Sequence, residues 1–307
     1  MSGNKHSEEK TFRSYDRSQS EHYARMRMDY HSSVYEAIID QHTATGGQWD
    51  RMLDIGCGPG QATRTLAPHF QHAKGIDASK EMIEVARDLS NKASHGEPVS
   101  FEVSTAEDMA GVDAESVDLI TAATAAHWFD MPAFWKRAAE VLKPGGSVAL
   151  WTSSDPSIHP ATPNAAALNE AHERFSDEHL KPYYEPGNMI TRDGYRTLKM
   201  PWDVTPKIEA FDRASFLRRD WTTSELFHVG QDRPFSLDTL ELMLATASPV
   251  ARWRQAHPDK VGTEQDAVRG LRREIEALLR EVGVPEGGEV LRGFTPGVLL
   301  MVKKVSS

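Results

Sequence analysis

The chain has 307 residues, 39% hydrophobic and 26% charged, which is enough apolar material for a globular core and more length than one compact domain needs. Its net charge, 35 minus 45, is −10, and no Lys/Arg block offsets it, which argues against nucleic acid as a partner. A single cysteine excludes an internal disulfide and fits a reducing, cytoplasmic setting. No stretch reaches the roughly 18 apolar residues of a membrane span, and polar Met1–Lys10 carries no secretory pattern, so neither membrane nor export is expected.

Residues 1–20 are polar and predict a flexible arm. From Ser20 onward Tyr23, Met26, Tyr30, Val34, Ile38 and Ile39 fall at helical spacings and predict one N-terminal helix. A loop over 43–49 leads into a strand, Arg51–Ile55. That strand runs into Asp54-Ile55-Gly56-Cys57-Gly58-Pro59-Gly60, and a helix is predicted over 61–70. Three glycines in five residues clear the side chains from a strand-to-helix turn, which then presents backbone N–H groups to a ligand. The dinucleotide fingerprint G-x-G-x-x-G wants Gly or Ala where Gln61 stands, so an NAD-dependent oxidoreductase is the lesser reading. Cys57, inside the turn, reads as a small side chain that fits.

A second strand, 73–76, ends at Asp77, 21 positions after Gly56. In nucleotide-binding βαβ units an acid about 20 residues on accepts hydrogen bonds from the ribose hydroxyls. Asp77 and Ser79 are equal candidates to cap the next helix, which carries Met82, Ile83, Val85, Ala86 and Leu89. Strand three (99–103) opens into Ser104-Thr105-Ala106-Glu107-Asp108. Strand four (117–121) opens into a run of small residues and then His127-Trp128-Phe129-Asp130. Asp130 followed by Pro132 starts a helix over 131–142. Lys143-Pro144-Gly145-Gly146 turns the chain into strand five, 147–152. Each of these loops follows the carboxyl end of a strand, so they converge on one rim of a parallel sheet, where ligands of such sheets bind.

Beyond 153 the composition changes: five prolines by residue 186, with Phe175, Tyr183 and Tyr184, suit a substrate cap. A strand is predicted over 203–211, helices over 216–221, 237–253 and 264–282, and a last strand over 298–302. The arginine pairs Arg218/Arg219, Arg252/Arg254 and Arg272/Arg273 read as solvated helix faces. The organisation expected is an arm (1–20), an α/β core with its N-terminal lid helix (21–152), a cap insertion with the remaining elements (153–296), and a last strand and tail (297–307).

D-I-G-C-G-P-G resembles the first motif of the class I S-adenosylmethionine (SAM)-dependent methyltransferases, and L-K-P-G-G resembles their stop before strand five. Ala125-x-His127-Trp128-Phe129, the 183–188 segment and Gly194-Tyr195 resemble the fungal trans-aconitate methyltransferase-like group. The resemblance implies a Rossmann-like α/β fold with a mostly parallel seven-stranded sheet, helices on both faces and a helical cap. It implies SAM as cofactor, held by Asp54, Gly56, Gly58, Gly60, Asp77, Ala106, Glu107 (or Asp108), Ala122 and His127, with Tyr23 and Arg27 on a helix folded over it. Trp128, Tyr184 and Arg192 are then the expected substrate contacts. His127, with Tyr23 behind it, is the expected catalytic help. A small-molecule acceptor is expected, first a carboxylate, with Arg192, Arg196 and Lys199 as cations for a tricarboxylate. Thiol or hydroxyl acceptors of secondary metabolism stay open, as does a SAM-binding protein without turnover. No metal is expected, and the chain is expected to be a monomer or homodimer.

Overall fold

The computed structural model describes residues 16–26, 28–89 and 96–306, the side chains of His22 and Met26 apart. Two helices come first, α1 (Arg17–Met26) and α2 (Ser32–Ala44), where the spacing predicts one. The break has a local cause. His31 is the N-cap of α2 and its Nδ1 accepts from the Ser33 N–H, while Asp29 takes the Tyr30 N–H at 2.8 Å. Tyr30 instead forms an isolated antiparallel bridge with His228.

The core then alternates as its apolar runs predict: β1 (Arg51–Ile55), α3 (Gln61–Leu66), β2 (His72–Asp77), α4 (Lys80–Asp88), β3 (Ser100–Val103), β4 (Val117–Ala123), α5 (Met131–Val141) and β5 (Leu142–Ser153). The cap follows with β6 (Ser157–Ile158), α6 (Ala165–Phe175) and α7 (Pro186–Arg192), and the chain returns to the sheet as β7 (Phe211–Trp221). Then come β8 (Phe235–Ser236), α8 (Leu237–Ala245), α9 (Ser248–Ala256), α10 (Ala267–Glu281), β9 (Val290–Leu291), β10 (Gly293–Phe294) and β11 (Gly297–Lys304).

Seven strands form the central sheet in the order β3-β2-β1-β4-β5-β11-β7, parallel from β3 to β5, with β11 antiparallel to both its neighbours. This is the mostly parallel, Rossmann-like sheet expected. The interior strands are apolar on both sides. Leu53 and Ile55 pack with Phe134, Trp135 and α5 on one face, and Met52 and Leu119 with Val34, Ile38, Leu66 and Trp151 on the other. A third core joins α6, α8, α9 and α10 through Leu168, Phe175, Trp253, Leu271 and Ile275.

Four expectations fail in the second half. The strand predicted over 203–211 begins only at Phe211, and Phe216–Trp221, predicted helical, is part of β7. Arg218 and Asp220 pair at 2.6 Å two residues apart, a spacing that shares a face on a strand and not on a helix. The helix over 237–253 is two, because Pro249 starts α9 in its first turn. Arg252, expected on a solvated face, is a mostly buried strut in the cap: it donates to the Tyr183 carbonyl and to Asn188 Oδ1 and lies 3.6 Å from Glu185.

Candidate active site

The β1–α3 turn has Gly56, Gly58 and Gly60 at φ of 63°, 52° and 80°, the left-handed region that side chains disfavour. A Cβ on Gly56 would stand 2.6 Å from the Ala125 Cβ, whereas at Gly58 it would meet nothing within 4 Å. Gly56 is therefore bare because the loop after β4 crowds it, and Gly58 because the turn needs its backbone angle. Asp77, at the end of β2, ties the turn down: its Oδ2 accepts the Gly58 N–H at 2.9 Å and its Oδ1 the Ser79 N–H at 2.8 Å.

Gly56, Gly58 and Asp77 wall a cavity of about 420 Å³ beyond the carboxyl ends of the strands, together with Ala106, Glu107, Thr124, Ala125, Phe129 and Asp130. Glu107, not Asp108, is in the wall; it accepts the Asp130 N–H at 2.9 Å, and Asp108 is exposed. Tyr23, on α1, is also in the cavity wall. Arg27 lies outside the described residues.

Four expected cofactor residues are elsewhere. Asp54 is fully buried behind the turn, where Thr63 and Thr121 donate to its two oxygens at 2.5 and 2.7 Å. Burial pushes its carboxyl up to about 6, against the two hydroxyls that hold it down. Gly60 caps α3, and a Cβ there would run into the Phe101 ring at 2.7 Å, so it serves packing. Ala122 is sealed within the sheet core. His127 faces a different cavity. Burial also raises the Cys57 thiol well above its ordinary range.

A second cavity, of about 440 Å³, lies between the sheet and the cap, and its wall shares Tyr23, Thr124 and Trp128 with the first. Thr124 stands at the junction with φ +50°, held by its N–H to the Trp151 carbonyl (2.7 Å) and its Oγ1 to the Tyr30 hydroxyl (2.8 Å). His127, Tyr184 and Arg192 also line this cavity. Arg192 Nη1 reaches Asp155 (2.8 Å), Ser176 (3.2 Å) and Tyr184 (2.5 Å), and its guanidinium sits 4.8 Å over the Tyr184 ring. His172, in the same wall, has its basicity lowered by burial. The other two cations expected with Arg192 are absent from the wall: Arg196 donates to the Asp193 carbonyl and Lys199 lies outside.

Sequence reasoning missed Asp155 and His172, both on the insertion, where no periodicity points inward. Thr124 had one signal: it is the polar residue in a run of alanines. Among the described residues no group of three or more His, Cys, Asp or Glu could hold a metal, and no helix is long and apolar enough to cross a membrane.

The first cavity has carboxylates (Asp77, Glu107, Asp130) and no Lys, Arg or His among its described wall residues. That wall opposes the pyrophosphate of a dinucleotide and suits a ligand with net positive charge. Residues 53–150 match the family described as a methyltransferase domain. A candidate methyltransferase of Dictyostelium discoideum is 32% identical over 192 residues, 61% of this chain and 66% of that protein. CRG1 of Saccharomyces cerevisiae, named as a candidate SAM-dependent methyltransferase, is 31% identical over 133 residues, 43% of this chain and 45% of that one. The chain thus spans less than two thirds of either relative's length. A solved structure from Anaeromyxobacter dehalogenans, a candidate type II methyltransferase, shares the fold at TM-score 0.62 and 23% identity, covering 92% of this chain and 99% of that one. Residues 53–150 of the α/β unit thus form a methyltransferase domain, with SAM as the cofactor such a domain uses.

Proposed function

We propose that the chain transfers the methyl group of SAM to a carboxylate oxygen of a small, largely apolar acceptor held in the second cavity. The observation that carries this is the junction of the two cavities at Tyr23, Thr124 and Trp128. Bound in the first cavity, SAM supplies a methyl on a cationic sulfur; as the O–CH3 bond forms the C–S bond breaks, and the sulfur keeps that pair. The glycine turn and Asp77 would hold the amino-acid and ribose parts, and Ala106 with Glu107 the adenine. Thr124 and Trp128 would set the acceptor oxygen in line with the methyl, a geometry that supplies roughly 7–11 kcal/mol of the barrier.

A carboxylate is already ionised at neutral pH and needs no base. Asp155, the acid in the second cavity's wall, is engaged by Arg192 and so is poorly placed to act as one. Arg192 directs its hydrogen bonds and its ion pair through Nη1, so Nε and Nη2 keep donors for an anionic acceptor. With Arg196 and Lys199 outside, the wall offers two arginines, Arg192 and Arg233, which favours an acid of lower charge over a tricarboxylate such as trans-aconitate. The cap insertion, 153–296, is the acceptor-selecting part on this reading.

The test is release of S-adenosylhomocysteine across a panel of aliphatic and aromatic monocarboxylic acids, phenols and thiols. Turnover is expected with acids, at a rate flat from pH 6 to 9. Turnover confined to phenols or thiols, or none despite SAM binding, overturns the proposal.

A further inference from the structure

Beyond its histidines, the described wall of the second cavity has three charged side chains, Asp155, Arg192 and Arg233. Asp155 and Arg192 pair at 2.8 Å and offset each other. Arg233 is different. Among the described residues no carboxylate lies within ion-pair reach of its guanidinium, and the neighbouring Asp232 is outside the wall. The wall therefore keeps one positive charge without a counter-charge, in a chain whose net charge is −10.

The local chain fixes where that charge stands. A turn over 230–233 is closed by the Arg233 N–H, which donates to the Gly230 carbonyl at 2.9 Å. Arg292 donates to the Asp232 carbonyl at 3.1 Å, and Pro234 restricts the Arg233 backbone from the other side. Just before the turn, His228 stacks on Tyr30 with ring centroids 5.2 Å apart, and the Tyr30 hydroxyl meets Thr124 at the junction of the two cavities. The backbone under Arg233 is thus braced while its side chain is exposed. A wall residue that is also exposed stands at the rim, and among the described residues the five N–H donors of this guanidinium are unused.

Methyl transfer gives such a charge a second use. A carboxylate enters as an anion and leaves as an uncharged methyl ester: the O–CH3 bond forms, the C–S bond breaks, the sulfur keeps the pair, and no proton moves. A positive rim attracts the acid and has no such hold on the ester.

We propose that Arg233 is the specificity-determining residue by which the second cavity takes an acid in preference to that acid's own methyl ester, so that transfer itself removes the attraction on the product. This rests on reading the second cavity as the acceptor site. Arg192, already paired with Asp155, supplies no comparable net attraction. Because Arg233 is exposed, the preference is that of one accessible ion pair, about fivefold and weakened by salt.

The test is calorimetric titration of the full chain, saturated with S-adenosylhomocysteine, with hexanoate and with phenylacetate, each beside its methyl ester. The acids are expected to bind about fivefold tighter than the esters at low ionic strength, with a smaller gap in high salt. In Arg233→Gln the gap is expected to close, and in Arg233→Lys, which keeps the charge, to persist. A gap unchanged in Arg233→Gln, or no binding of either acid to the native chain, overturns the proposal. With the best acid of the panel above, the loss in Arg233→Gln is expected in KM, about fivefold, and not in kcat; a loss confined to kcat overturns the selecting role. If no acid turns over, the proposed function fails, while the titrations still decide what Arg233 does.

Discussion

Asp77 holds two backbone N–H groups, one from the glycine turn and one from the start of α4, and so couples the shape of the turn to the end of β2. Asp77→Ala should therefore weaken SAM binding by about 1.5–3 kcal/mol, the range for hydrogen bonds to a charged acceptor. Calorimetric titration checks this, and unchanged affinity would remove Asp77 from the site. Asp54 makes a different prediction. Its folded-state pKa of about 6 lies above the ordinary value near 3.9, so the folded chain holds the proton more tightly than the unfolded one. Stability owed to this group is full below about pH 4, falls as pH rises through about 6, and stays lost above. Asp54→Asn keeps the shape without the charge. Relative to the native chain it should gain about 2 kcal/mol more at pH 7.5 than at pH 4.5 in urea unfolding. An equal difference at both values would mean that Asp54 does not titrate there. Residues of this kind were legible as a group, because an acid before glycines and an acid after the next strand are fixed by chain spacing. Which of them touches the cavity was not, because Asp54 and Gly60 differ from Asp77 and Gly58 only in the direction the backbone turns them.

Elements were legible where a single physical signal dominates. β1, β2, β4 and β5 are apolar runs closed by Asp, Thr or Gly, and α4 is capped by Ser79, whose Oγ accepts the Met82 N–H. β7 was not, because it is an edge strand with charge on its open face, and Arg218, Arg219 and Asp220 blur its alternation into a helical spacing. The turn between β1 and α3 is where an element can be broken by one methyl group. Gly56→Ala adds the left-handed strain and the contact with Ala125, about 1–3 kcal/mol together. It should lower both the melting temperature and SAM affinity, and loss of neither would mean that the turn relaxes freely. At the opposite ends of the strands, Asp118 on β4 is 2% exposed and accepts from the Asp50 and Arg51 N–H groups and from Lys143 of β5 at 3.0 Å. Lys143→Ala leaves that carboxylate with backbone donors alone. Because Lys143 is 31% exposed, the expected loss is about 1–2 kcal/mol, below that of a fully buried pair, and chemical denaturation measures it.

At the scale of the molecule, the parallel half of the sheet carries the first cavity, and the chain beyond β5 contributes most of the wall of the second one. Sheet order has a consequence for how the molecule comes into being. β11 lies between β5 and β7, yet it is the last of the seven strands to leave the ribosome. Until it emerges, a nascent chain has two unpaired edges and an open slot flanked by Trp151 and Trp221, the kind of surface that invites wrong partners. Synthesis halted at Pro296 should therefore yield a sticky polypeptide that pellets or stays with chaperones, and supplying 297–307 as a separate peptide should bring part of it back into solution.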